Sequence, residues 1–206
     1  MGYLDYYSIA EKIMNENDCH TVVIYGSRAN GNHTEDSDID LLCIKDKGKS
    51  YQYAKLVDGF FVDAWVNSID DLDYKEDFLK ILNGKVLIEK DNIGNKILQD
   101  VEEMYKKGFT PFTDLEISNL NLWSRKMLNR AKKLDAEGNY RKTWLATDLI
   151  EIYFNIRNVW YLGSKNAFVW LKENDYSSYL LFDNLYKNTT IENLEMVVNK
   201  VFENEK

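Results

Sequence analysis

The feature that most restricts this chain is Tyr25-Gly26-Ser27-Arg28-Ala29-Asn30-Gly31, followed after a polar loop by Ser37-Asp38-Ile39-Asp40-Leu41. It sets a turn suited to phosphate just ahead of a pair of carboxylates. The preceding run Thr21-Val22-Val23-Ile24-Tyr25 is short, rich in β-branched residues and stopped by glycine, as a buried strand is when it enters a tight turn. Gly26 allows backbone to approach a ligand closely, and the amides and Ser27 hydroxyl that open a helical turn are donors for phosphate oxygens. Arg28 follows directly and is a fixed cation within reach of the same phosphate.

Asp38-Ile39-Asp40 runs into Leu41-Leu42-Cys43-Ile44, which predicts a second strand starting at the motif. Alternation along that strand puts Asp38 and Asp40 on one face. Two carboxylates so placed repel each other, and a hard divalent cation relieves the repulsion; Mg²⁺ takes one or two carboxylates together with substrate phosphates. A third carboxylate, Asp63, interrupts the apolar run Gly59-Phe60-Phe61-Val62-Asp63-Ala64-Trp65-Val66, against strand propensity and just after the hairpin signal Asp58-Gly59. Such local violations are expected at functional sites. A Walker A reading of Gly26 and Gly31 fails, because Asn32-His33 stands where Lys-Ser or Lys-Thr is required.

Gly-Ser, ten residues, Asp-x-Asp and a later strand aspartate resembles the nucleotidyltransferases of the DNA polymerase β superfamily, in particular their minimal and antibiotic-modifying branches. The strong part of the match is confined to Gly26 to Leu41. The resemblance implies transfer of a nucleoside monophosphate from an NTP, with ATP the first candidate, to an acceptor hydroxyl. Asp38, Asp40 and Asp63 would hold two Mg²⁺ ions, which in such sites lie about 3.5 to 4 Å apart. Gly26 and Ser27 would fix the β and γ phosphates, and Arg28 would add a charged contact. The antibiotic-modifying branch implies a small acceptor, such as an aminoglycoside or lincosamide, and a homodimer. A protein-modifying enzyme of a toxin–antitoxin pair and a non-catalytic nucleotide-binding module stay open as alternatives.

Composition narrows the partners. The net charge of −8 over 206 residues argues against a long nucleic-acid footprint, which needs clustered Lys and Arg. Hydrophobic content of 45% and a charged fraction of 29% are those of a globular chain with a real core. The N-terminus has neither the basic region nor the long apolar run of a signal or membrane segment, and with only Cys19 and Cys43 a cytoplasmic setting is expected.

The fold expected is α+β, with a mixed-sheet nucleotidyltransferase domain over 1–108 and a helical bundle, binding the acceptor, over 109–206. Leu4, Tyr7, Ile9, Ala10, Ile13 and Met14 recur at helical spacing, Asp70 to Asp77 reads as the solvated start of a helix, and Lys85-Val86-Leu87-Ile88 as a strand before a helix over 91–107. Pro111, the sole proline, sits just ahead of Thr113-Asp114-Leu115-Glu116, a capping box that opens the second half. Helices are predicted over 114–134, 140–162, 165–173, 176–186 and 191–203, with Gly138 and Gly163 as C-terminal caps. On the 140–162 helix, Leu145, Leu149, Ile152, Ile156 and Val159 form an apolar stripe beside a polar one of Asp148, Glu151, Asn155 and Asn158. From that polar stripe Glu151 is expected to face a cleft between the domains and to help deprotonate the acceptor. Arg157-Asn158 followed by Leu162 lacks the histidine of the helical ribonuclease signature, so no nuclease is expected.

Overall fold

The computed structural model describes residues 5–72, 76–133 and 135–203. Leu4, Asp73 and Leu134, named in the sequence reading, lie outside the described residues. The chain divides into two compact units, Met1–Lys107 and Gly108–Lys206.

The first unit contains α1 (Tyr6–Glu16), β1 (Thr21–Tyr25), α2 (Gly26–Asn30), β2 (Ile39–Lys45), β3 (Tyr51–Val57), β4 (Phe60–Ser68), β5 (Lys85–Ile88) and α3 (Ile93–Lys107). The strands form one mixed sheet in the order β3-β4-β2-β1-β5, in which β2 and β4 are parallel and the other neighbours antiparallel. Alternation sorts the strand residues. Val22, Ile24, Ile39, Leu41, Val62 and Ala64 turn to one face and are buried with Ile9, Ala10 and Ile13 of α1. Their neighbours in sequence, Tyr25, Asp40, Asp63 and Trp65, therefore share the opposite face. Part of that face is covered by α3 and by a 3-10 turn at Glu76–Ile81, through buried Leu79, Ile81, Ile97 and Val101. Asp70, Asp71, Glu76 and Asp77 thus belong to short 3-10 turns at Ile69–Asp71 and Glu76–Ile81 rather than to the start of an α-helix.

The second unit is helical: α4 (Asp114–Ala131), α5 (Ala136–Asn155), α6 (Gly163–Asn174), α7 (Tyr176–Lys187) and α8 (Ile191–Val201). Its capping box is present, with Thr113 Oγ1 accepting from Glu116 N and Glu116 Oε2 accepting from Thr113 N. Leu145, Leu149, Tyr153, Phe154, Phe182 and Leu194 lie in one core.

Two expected boundaries fail here for local reasons. Gly138 is not a C-terminal cap but sits in the first turn of α5, where its amide donates to Asp135 Oδ1 at 2.7 Å. A side chain there would overlap the carbonyl oxygen of Lys133. The helix predicted to reach Leu162 stops at Asn155, because Asn158 takes a left-handed φ of 57° and returns its amide to Asn155 O while Val159 N reaches Phe154 O. Arg157 fixes the break by stacking 3.8 Å from the Tyr153 ring centroid and donating to the carbonyls of Tyr153, Lys200 and Val201. Gly163, at φ 82°, opens α6 instead of closing the helix before it.

Candidate active site

The parallel pairing of β2 with β4 sets Asp40 directly beside Asp63, and the antiparallel pairing with β1 sets Tyr25 on the other flank of Asp40. Register partners point to the same face, so two carboxylates meet side by side at one end of the sheet. Neither is fully exposed. Their charges reach Tyr25, whose phenol is pushed well above its ordinary pKa first by burial and then by Asp40 and Asp63.

Gly26 follows Tyr25 with φ 70° and begins α2. A Cβ at this position would overlap Asp40 Oδ2, so the backbone of the turn lies against the carboxylate. The positive φ and the close approach both require glycine. Gly26→Ala is expected to lower stability by about 1 to 3 kcal/mol and to displace the Asp40 carboxylate; chemical denaturation and metal-dependent nucleotide binding measure the two effects. No side chain caps the start of α2, whose N-cap residue is Tyr25, and Ser27 is only partly buried. The turn closes at Gly31, in the left-handed region, and Asn32 N returns to Ser27 O at 3.1 Å.

Asp38 stands one residue ahead of β2 and is exposed, so the structure unites Asp40 with Asp63 through strand pairing and leaves Asp38 at the loop end. The loop is fixed from inside. Arg28 is buried, and its Nε donates to Ser37 O at 2.9 Å and Asp38 O at 3.1 Å while Nη2 donates to Ser37 O at 2.5 Å and Glu35 O at 3.5 Å. Its guanidinium also lies 5.0 Å from the Phe60 ring centroid. The side chain expected to contact phosphate thus holds the backbone that carries Asp38.

Two neighbours escaped the sequence reading. Gln52 on β3 donates from Nε2 to both Asp63 oxygens, at 2.8 and 3.0 Å, and so orients the carboxylate. Lys80, in the 3-10 turn, places Nζ 4.1 Å from the centroid of the Trp65 ring. The hairpin signal Asp58-Gly59 pointed to β3, but nothing in the sequence marks a polar residue at a sheet edge as the partner of an aspartate eleven positions on.

Among the described residues no group of three His, Cys, Asp or Glu side chains converges as a ready-made metal cluster. The donor set still suits a hard cation: Asp40 and Asp63 are oxygen donors adjacent in register, and the missing side chain at Gly26 is what lets the Asp40 carboxylate pack against the turn.

Glu151 lies in the helical unit, exposed, on a cavity of about 440 Å³ lined by Leu120, Trp123, Asp148, Glu151, Ile152 and Asn155. Every lining residue belongs to that unit. Burial raises the Asp148 carboxyl above its usual range, with a hydrogen bond from Trp144 opposing the shift. Among the described residues no helix is long and apolar enough to cross a membrane.

Comparison with known proteins accords with this geometry. No curated protein matches the chain. A crystal structure of a nucleotidyltransferase-like protein from Exiguobacterium sibiricum 255-15 aligns at 10% identity, covering 97% of this chain and 75% of that one, with a TM-score of 0.48; a likeness that loose carries no argument. The family described as polymerase beta, nucleotidyltransferase, matches residues 8–100, a span that holds most of α1, all of the sheet and Asp38, Asp40 and Asp63. Residues 8–100 of the first unit thus match the polymerase beta nucleotidyltransferase family, and that match indicates a nucleotidyltransferase.

Proposed function

We propose that the chain moves a nucleoside monophosphate from an NTP, ATP being the first candidate, to a hydroxyl of a small acceptor and releases pyrophosphate. The observation that carries the reading is the register of Asp40 with Asp63 at the point where Gly26 touches Asp40. In this reading Asp38, Asp40 and Asp63 hold Mg²⁺, and the bound cation supplies charge neutralisation and lowers the pKa of the attacking hydroxyl. The residues of the chain do the positioning. Gly26 and Ser27 present the start of α2 to the phosphates, Arg28 holds the loop that bears Asp38, and Gln52 fixes the plane of the Asp63 carboxylate. The acceptor oxygen bonds to the α-phosphorus, the bond to the bridging oxygen of the β-phosphate breaks, and pyrophosphate leaves with that electron pair. Holding the reactants in line accounts for most of the rate in such chemistry.

For the acceptor we favour an amine-bearing, hydroxylated antibiotic of the aminoglycoside kind, with a lincosamide as the neighbouring class. The support is the helical-unit cavity, where Asp148, Glu151 and the Trp123 indole suit a cationic ligand. Glu151 is the proposed general base. Two free cysteines, Cys19 and Cys43, fit a cytoplasmic setting.

The test is pyrophosphate release from each of the four NTPs with Mg²⁺, against aminoglycosides, lincosamides and candidate proteins. Release that depends on one antibiotic and falls at least tenfold in Glu151→Gln supports the reading. Release that depends on a protein acceptor, or none with any acceptor while nucleotide still binds, would sink the small-acceptor assignment.

A further inference from the structure

The nucleotide site has carboxylates and a turn of amides, but its expected cation has another task, since Arg28 is held on the carbonyls of Glu35, Ser37 and Asp38. A triphosphate would bring several negative charges to a face that already bears Asp40 and Asp63. A further cation on that face would act on those charges at short range.

Lys80 is on that face. Its Nζ stands 4.1 Å from the centroid of the Trp65 ring. Trp65 follows Asp63 by two residues on β4 and pairs with Leu42, which follows Asp40 by two on β2; the indole and both carboxylates therefore point to the same side of the sheet. The electrostatics agree with the geometry. Partial burial lowers the pKa of the ammonium, while the charges of Asp77, Asp63 and Asp40 all act to hold it charged. Among the described residues no hydrogen bond or ion pair engages Nζ beyond its contact with the ring. The ammonium is thus backed by an indole and within the field of the carboxylate pair.

We propose that Lys80 binds the phosphate chain of the nucleotide, supplying the cation that the sequence reading assigned to Arg28. The inference rests on the nucleotidyl-transfer reading above. Lysine suits the task as a compact point charge on a flexible stem, able to follow a phosphate oxygen from ground state to product. The plainer role, an aliphatic stem that shields Trp65 from water, needs no charge and makes a different prediction.

The experiment is equilibrium binding of each of the four Mg·NTPs, and of Mg·pyrophosphate, to the full chain and to Lys80→Met, Lys80→Arg and Asp40→Asn. Methionine keeps a stem over the indole and removes the charge; arginine keeps the charge. Lys80→Met is expected to weaken the NTP that binds, and pyrophosphate, roughly 10-fold, with Lys80→Arg within roughly threefold of the parent. Binding by Lys80→Met at the parent strength overturns the proposal; if Asp40→Asn has lost metal-dependent binding in the same series, the nucleotidyl-transfer reading survives without Lys80. If the unmodified chain binds neither NTP nor pyrophosphate with Mg²⁺ or Mn²⁺, that reading falls and the proposal with it.

Discussion

Asp40→Asn is expected to reduce nucleotidyl transfer by roughly three orders of magnitude while the protein stays folded. The amide has the shape of the carboxylate, so it fits against Gly26 as Asp40 does and leaves the β1–β2–β4 register intact. What it removes is the negative charge that a divalent cation needs. Stability should change little, because the relief of a like-charged neighbour for Asp63 offsets the contacts that the Asp40 charge itself makes. The Tyr25 phenol gives an independent readout. Burial remains the main reason for its raised pKa, but one of the two carboxylate charges that lift it further is gone, so its titration should move down. Steady-state pyrophosphate release, chemical denaturation and spectroscopic titration of tyrosine check the three parts. A variant that transfers nucleotide at the parent rate would show that the carboxylate pair is structural.

The parts of this site that were legible in the sequence are those governed by local chemistry. Gly26, Ser27 and the Asp-x-Asp pair declare themselves by residue type and spacing, and Asp63 declares itself as a charge in an apolar strand. Register is not local. That Asp63 lies beside Asp40 follows from the parallel pairing of β2 with β4, strands separated in sequence by β3, and no single run of residues encodes it. The same is true of Gln52, whose role exists only because β3 folds back on β4, and of Lys80, whose ammonium reaches Trp65 through tertiary packing. The loop contacts of Arg28 were hidden for a related reason. An arginine after Gly-Ser looks available to phosphate, but the loop from Glu35 to Asp38 curls back and occupies it.

In the helical half, periodicity found the helices and misjudged their ends. The stripe of Leu145, Leu149 and Ile152 is buried as expected. The continuation through Ile156 and Val159 keeps helical spacing in the sequence, yet Asn158 adopts a left-handed conformation that asparagine tolerates better than most residues, and the chain turns. Gly138 misled in the opposite sense: glycine suggests a helix end, but here the overlap with Lys133 O makes it a necessity at a helix start.

Asp175→Ala is expected to cost about 2 to 4 kcal/mol of stability in the helical unit, the largest effect foreseen outside the active site. Asp175 caps α7 by accepting from Ser178 N at 3.0 Å, and its two oxygens also accept from Ser177 Oγ, Ser178 Oγ and Tyr153 OH at 2.7, 2.6 and 2.7 Å. Removing it uncaps a helix and leaves the hydroxyl of Tyr153, a residue 1% exposed, without its acceptor. Tyr153→Phe with Asp175→Ala should therefore lose less than the sum of the two single changes, since Tyr153→Phe removes the hydroxyl that Asp175→Ala strands. Burial acts to raise the Asp175 pKa, but the hydrogen bonds from Ser178, Tyr153 and Ser177 outweigh it and hold the carboxyl well below the usual range. A carboxyl lowered in the folded state binds its proton more readily when unfolded. Its contribution is present above the unfolded value of about 3.9 and is lost as pH falls through the folded-state pKa. The stability difference between the parent and Asp175→Asn should accordingly be constant near neutral pH and narrow below about pH 4. Urea denaturation at a series of pH values measures it, and a gap that does not narrow on acidification would mean the charge of Asp175 does not act through the folded network.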